Sequence, residues 1–137
     1  MTAATPLALS ADTAADLMCG EVATLETTYT FAQALAFFID RNVTVAPVTS
    51  PLGRPVGVLS VIDLLIHVRA CETAKQIVPA TVAAMMTPTV FTVRADTPAA
   101  EVVRDMLRSK VHHLFVTDDA DEIIGVVSSC DVLRHLQ

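Results

Sequence analysis

The chain has 137 residues, enough for one compact domain or two very small ones. Hydrophobic residues make up 53% of it and charged residues 18%, which excludes a disordered chain and exceeds what one small domain hides, so pairing with a second copy is expected. The net charge is −6 and the nine basic residues are spread singly, which leaves no basic stripe for nucleic acid.

Residues 1–16 carry no Lys or Arg, so the charged region that opens a secretory signal is missing. Cysteines stand at 19, 71 and 130, an odd count with no C-x-x-C pair, and they read as free thiols of a reducing compartment. The apolar stretch 56–66 is broken by Asp63 and is too short to span a bilayer. A cytoplasmic location with no membrane partner is expected.

In chain order, residues 13–18 predict one or two helical turns, and residues 22–25 a short extended piece. Phe31, Ala34, Leu35, Phe38 and Ile39 then recur at helical spacing. Residues 43–48 and 56–59 are β-branched and apolar, joined by the turn 50–54 as a hairpin, and a helix over 61–69 closes the series.

A shift of 68 positions then lays residues 13–69 over residues 81–137 without a gap. Fifteen aligned positions are identical, including Met18/Met86, Val22/Val90, Thr24/Thr92, Gly57/Gly125, Ser60/Ser128 and Asp63/Asp131, which is too many for chance. The second copy repeats every element: turns at 81–86, an extended piece at 90–93, a helix on Ala99, Val102, Val103, Met106 and Leu107, a hairpin of 111–116 with 123–127, and a last helix at 129–136. Thr97-Pro98 supplies an expected helix cap and first helical residue. The sequence therefore predicts an α/β (α+β) fold. Residues 13–69 form a first unit, 70–80 a linker and 81–137 a second unit. Each repeat is near the lower size limit for a stable core, so the two are expected to pack as a pseudo-twofold pair through their small sheets.

Ser60-x-x-Asp63 and Ser128-x-x-Asp131 both open helices. One reading is a capping box. The other is a ligand site, because a helix start offers unpaired N–H groups to a phosphate and the carboxylate can accept from ribose hydroxyls. His112 and His113 are adjacent on a strand and so point to opposite faces; at most one, taken as His113, faces a ligand, and no metal site is expected. Gly57-Val-Leu-Ser60 is not a nucleophile elbow, since Val61 stands where glycine is needed, so no catalytic residue is assigned.

The two Gly-Val-x-Ser-x-x-Asp blocks, the strands Val43-Thr-Val-Ala-Pro-Val48 and Val111-His-His-Leu-Phe-Val116, and the helices ending in Met18 and Met86 together resemble a tandem pair of CBS domains, the module named after cystathionine β-synthase. The resemblance covers nearly the whole chain. It implies a homodimeric regulatory module, not an enzyme. Such a module binds an adenosyl compound (AMP, ADP, ATP or S-adenosylmethionine) in the cleft between units and signals to a separate protein. It requires no cofactor. Asp63 and Asp131 would hold ribose, and Ser60 and Ser128 would lie near phosphate. Backbone groups at Val22, Thr24, Val90 and Thr92 would meet the adenine edge. Ala46-Pro47 and Leu114-Phe115 would flank the base. Phe115 departs from the family's proline, and either stacks on adenine or fills the cleft. Only Arg54, Lys110 and Arg134 lie near these positions, so AMP or a cationic sulfonium is favoured over a triphosphate, and a ligand-free dimerisation or scaffold module stands as the alternative.

Overall fold

The computed structural model describes residues 8–136. The first seven residues of the stretch free of basic charge, and Gln137 at the end of the second repeat, lie outside them. The first repeat forms α1 (Ala14–Leu17), β1 (Leu25–Glu26), α2 (Phe31–Arg41), β2 (Val45–Thr49), β3 (Pro55–Ser60) and α3 (Val61–Ala74). The second forms α4 (Val82–Met85), β4 (Thr92–Arg94), α5 (Ala99–Ser109), β5 (His113–Thr117), β6 (Ile123–Ser128) and α6 (Ser129–Arg134). The fold is mixed α/β, with two three-stranded sheets ordered β1-β2-β3 and β4-β5-β6. In each, the first strand runs parallel to the middle one and the hairpin partner antiparallel.

Several boundaries differ from expectation for local reasons. The extended pieces 22–25 and 90–93 enter their sheets late, as β1 and β4. β4 starts one paired position earlier than β1 because Phe115 donates its N–H to the Phe91 carbonyl at 3.1 Å. Its counterpart Pro47 has no N–H to give, so the Ala23 carbonyl receives no such bond. α3 continues to Ala74, past the expected end at 69, and stops where Lys75 turns left-handed (φ 56°) and donates to the Cys71 and Glu72 carbonyls. α5 is capped by Pro98 rather than Thr97; the Thr97 hydroxyl instead accepts from the Arg94 N–H at 3.1 Å.

The described contacts form two compact units, Ala23–Val90 and Met1–Val22 with Phe91–Gln137, called here the middle unit and the terminal unit. Each therefore takes its short helix from the other repeat. A four-residue helix cannot stand alone, and matching backbone bonds hold both. In the middle unit Val82 N–H donates to Tyr29 O at 2.8 Å and Ala83 N–H to Thr27 O at 3.0 Å. In the terminal unit Ala14 donates to Thr97 O at 2.8 Å and Ala15 to Ala95 O at 3.0 Å. The next extended residues bridge the hairpins: Thr87 exchanges bonds of 2.9 and 3.0 Å with Val58, and Cys19 bonds of 2.9 and 3.0 Å with Val126.

These bridges explain two identities of the repeat. A Cβ on Gly57 would stand 2.6 Å from the Thr87 carbonyl oxygen and 2.7 Å from the Met86 sulfur. On Gly125 it would run into the Met18 sulfur and stand 2.9 Å from the Cys19 carbonyl oxygen. Glycine at both places lets the borrowed segment approach.

The middle unit's core gathers Leu25, Phe38, Val48, Leu59 and Leu64 with Val82 of the borrowed helix. The terminal unit's core gathers Val102, Met106, Leu114, Val116 and Val127 with Leu17 of its borrowed helix. Thr49 and Thr117 are buried polar residues, satisfied by donating to the carbonyls of Leu25 at 3.5 Å and Val93 at 3.4 Å. The apolar helix stripes are wider than these cores use: Ile39 is 68% exposed and Leu107 73%.

Candidate functional site

Both Ser-x-x-Asp motifs fall where a hairpin strand passes into a helix, and both close as capping boxes. In the middle unit the Asp63 Oδ2 accepts from the Ser60 N–H at 2.8 Å and its hydroxyl at 3.1 Å, while the Ser60 Oγ accepts from the Asp63 N–H at 3.3 Å. In the terminal unit Asp131 Oδ2 accepts from the Ser128 N–H at 2.9 Å, and Ser128 Oγ accepts from the Asp131 N–H at 3.1 Å. All four side chains are half-buried.

The two sites part at the second carboxylate oxygen. Asp131 Oδ1 accepts from Arg134 at 2.9 Å, an ion pair one helical turn long. Position 66, which pairs with 134 in the repeat, is isoleucine, so no such partner exists for Asp63 on its own helix. Among the described residues Asp63 Oδ1 takes no hydrogen bond.

Cross-strand register adds a second difference. Val45 lies opposite Ser60, and His113 opposite Ser128. Directly opposed residues share a sheet face, so the His113 side chain lies on the face of Ser128, while His112 meets the helix start through its carbonyl, which accepts from the Ser129 N–H at 3.0 Å. Burial and then the neighbouring His112 hold His113 below the ordinary histidine value of 6.5, with Asp131 pulling the other way.

Pro47 and Phe115 are both buried, Phe115 at 3% exposure. Both alternate with core residues along their strands, so they point to the sheet face away from the core. The Ala46 side chain belongs to the middle unit's core, which leaves only its backbone for other contacts. Val22 and Thr24 are half-buried and precede β1 without joining it; Val90 likewise precedes β4, while Thr92 opens β4 opposite Phe115.

Thr24, Ala46, Pro47, Ser60, Asp63 and Val90 fall in the middle unit, and Val22, Thr92, His113, Phe115, Ser128 and Asp131 in the terminal unit. The Val22/Val90 pair is exchanged relative to the repeats, a consequence of the borrowed helices. Sequence reasoning passed over the Arg134–Asp131 pair, whose signal was the i, i+3 spacing of opposite charges. Among the described residues no three His, Cys, Asp or Glu side chains gather as a metal site requires, and no helix is long and apolar enough to cross a membrane.

Two three-stranded units, each with a Ser-x-x-Asp box where its hairpin passes into a helix, define a duplicated α/β module. The family profile of the CBS domain matches residues 14–70 and 82–137, and the chain belongs to that family as a tandem pair. It is 32% identical over 108 residues to the gamma-3 subunit of the human 5'-AMP-activated protein kinase, covering 75% of this chain and 22% of the subunit. The chain therefore spans about a fifth of the length of the curated relatives it matches. Among solved structures it resembles CBSX2 in complex with AMP, at 25% identity over 90% of this chain and 95% of that one, with a TM-score of 0.74. It also resembles the cytosolic domain of the Mg2+ channel MgtE in complex with ATP, at 30% identity over 90% of this chain and 48% of that one, with a TM-score of 0.76.

Proposed function

We propose that this chain is a non-catalytic regulatory module that binds an adenosine-bearing metabolite and passes its occupancy to a separate protein. The observation that carries the reading is the half-buried Asp63 carboxylate, held at a helix start with one oxygen used by the cap and the other open. An open, fixed carboxylate oxygen suits the hydroxyls of a ribose. The helix start, with Ser60, suits a phosphate. Backbone at Val22, Thr24, Val90 and Thr92, with Pro47 and Phe115, would receive the base. The AMP and ATP bound by the two solved relatives support this ligand class, which we take to be AMP, ADP, ATP or S-adenosylmethionine, with no cofactor needed.

The two sites differ in readiness. Asp131 already shares its Oδ1 with Arg134, and the Phe91 carbonyl already accepts from Phe115, so a ribose or a base would compete there with existing bonds. The Asp63 site is therefore expected to fill first. At the other site Arg134 offers positive charge to a phosphate. The exposed apolar residues of α2, α3, α5 and α6 fit a homodimer, and the acting location is the cytoplasm.

Isothermal titration with AMP, ADP, ATP and S-adenosylmethionine tests the reading, with sedimentation run in parallel. Saturable heat from at least one of them, on a dimer, is expected. No heat from any at millimolar concentration overturns the sensing role. The competing reading is a ligand-free assembly module, favoured by the closed capping boxes, which give Ser60 and Asp63 a purely structural use. A dimer without ligand heat would select it.

A further inference from the structure

An open cavity of about 510 Å³ lies in the middle unit between the start of α2, the last turns of α3 and residues 77–80. Its walls are almost wholly apolar, with Phe31, Val68, Ile77 and Val78 prominent. That volume falls in the range of small-molecule sites. Two chemically active side chains stand in the wall, His67 and Cys71, one helical turn apart on α3. The His67 Nε2 lies 3.5 Å from the Cys71 sulfur. The Val78 N–H donates to the same sulfur at 3.4 Å. The Phe31 ring packs on the imidazole, with centroids 5.2 Å apart and planes tilted by 42°. A thiol beside a base is the arrangement that activates a sulfur nucleophile, and a donor aimed at the sulfur stabilises the negative charge left when its proton departs.

His135, the partner of His67 in the second repeat, instead meets the Asp131 carbonyl through Nδ1 at 2.9 Å. Cys19 and Cys130 are more exposed than Cys71, yet among the described residues neither sulfur has a base or an N–H beside it.

We propose that His67 and Cys71 form a covalent-modification site for an apolar α,β-unsaturated carbonyl compound. The cavity holds the compound's apolar body against Phe31 and Val68. His67 Nε2 takes the thiol proton as the Cys71 sulfur adds to the β-carbon. One S–C bond forms, the C=C π pair moves to the enolate, and the imidazolium returns the proton to the α-carbon. No oxidant or further reactant is required.

N-ethylmaleimide, an apolar member of this class, is the probe. The intact protein is treated with limiting reagent and each cysteine is followed by peptide mass spectrometry. Cys71 is expected to be labelled first despite its lower exposure. His67→Gln is expected to slow labelling at Cys71 by about tenfold or more while Cys19 and Cys130 keep their rates. Ala32→Leu, at an exposed position on the cavity rim, is expected to slow the maleimide at Cys71 more than the smaller, polar iodoacetamide. Cys19 or Cys130 labelled as fast as Cys71 overturns the proposal. So does a His67→Gln protein with circular dichroism and Cys71 labelling both unchanged. An equal effect of Ala32→Leu on both reagents removes the cavity's role and overturns the stated ligand class.

Discussion

Asp63→Asn separates the two uses of one carboxylate. In the native chain Asp63 Oδ2 accepts from the Ser60 N–H at 2.8 Å and from its hydroxyl at 3.1 Å. An asparagine at that place keeps an amide oxygen for the Ser60 N–H, so most of the helix cap survives. Asp63→Ala removes the acceptor altogether, and losing such a cap costs about 1 kcal/mol, or about 3–6 °C in Tm for a chain of this size. Asp63→Asn is expected to cost well under half of that. Ligand binding responds in another proportion. A carboxylate accepting from two ribose hydroxyls makes two charge-assisted bonds, together about 3 kcal/mol, or about 100-fold in Kd. The amide loses the charge and one acceptor oxygen, so both variants are expected to lose at least about tenfold in affinity.

Thermal melts without ligand and isothermal titration with AMP give the two readouts on the same samples. The ligand reading requires Asp63→Asn to melt near the wild type and bind poorly. A variant that binds AMP as tightly as the wild type refutes the assignment of Asp63 to ribose and leaves the carboxylate as a cap alone. Asp131→Asn is the internal comparison. Its carboxylate is already paired with Arg134, so its effect on the first binding event is expected to be smaller than that of Asp63→Asn.

The pH dependence follows from His113. Its folded pKa sits below 6.5 through burial and the nearby His112, against the pull of Asp131. The unfolded chain therefore takes the proton more readily, and stability present above about pH 6.5 declines as acid is added. His113→Val, which installs the residue found at the paired position 45, is expected to flatten the fall in urea midpoint between about pH 7.5 and 5.5; an unchanged slope refutes the attribution. Gly57→Ala drives a methyl against the Thr87 carbonyl oxygen, which is backbone and cannot swing aside. A loss of about 1–3 kcal/mol in denaturant unfolding is expected, and trimming Met86 to alanine in the same chain should not restore it. A Gly57→Ala chain as stable as the wild type would show that the bridge between Thr87 and Val58 can open at no cost.

The elements were legible because each is written twice. The stripe at Ala99, Val102 and Met106 and the alternation around Leu114 and Val116 name core residues directly. The Ser-x-x-Asp starts also fold as capping boxes read from their spacing. What the repeat could not disclose is which half supplies which short helix, because α1 and α4 match each other and each would fit either unit's core. Register along one chain has no term for that choice; it is made by backbone bonds such as Val82 to Tyr29 and Ala14 to Thr97. A trace of it was present in the sequence. Glycine at 57 and 125 is costly within a strand, and it is explained only if a Met-bearing segment, Met86 in one unit and Met18 in the other, must lie against it. Val22 and Val90 stand where the chain crosses from one unit to the other. Under the proposed sensing role, a ligand held at either residue is expected to order a crossing segment, a change in the chain path rather than in either core.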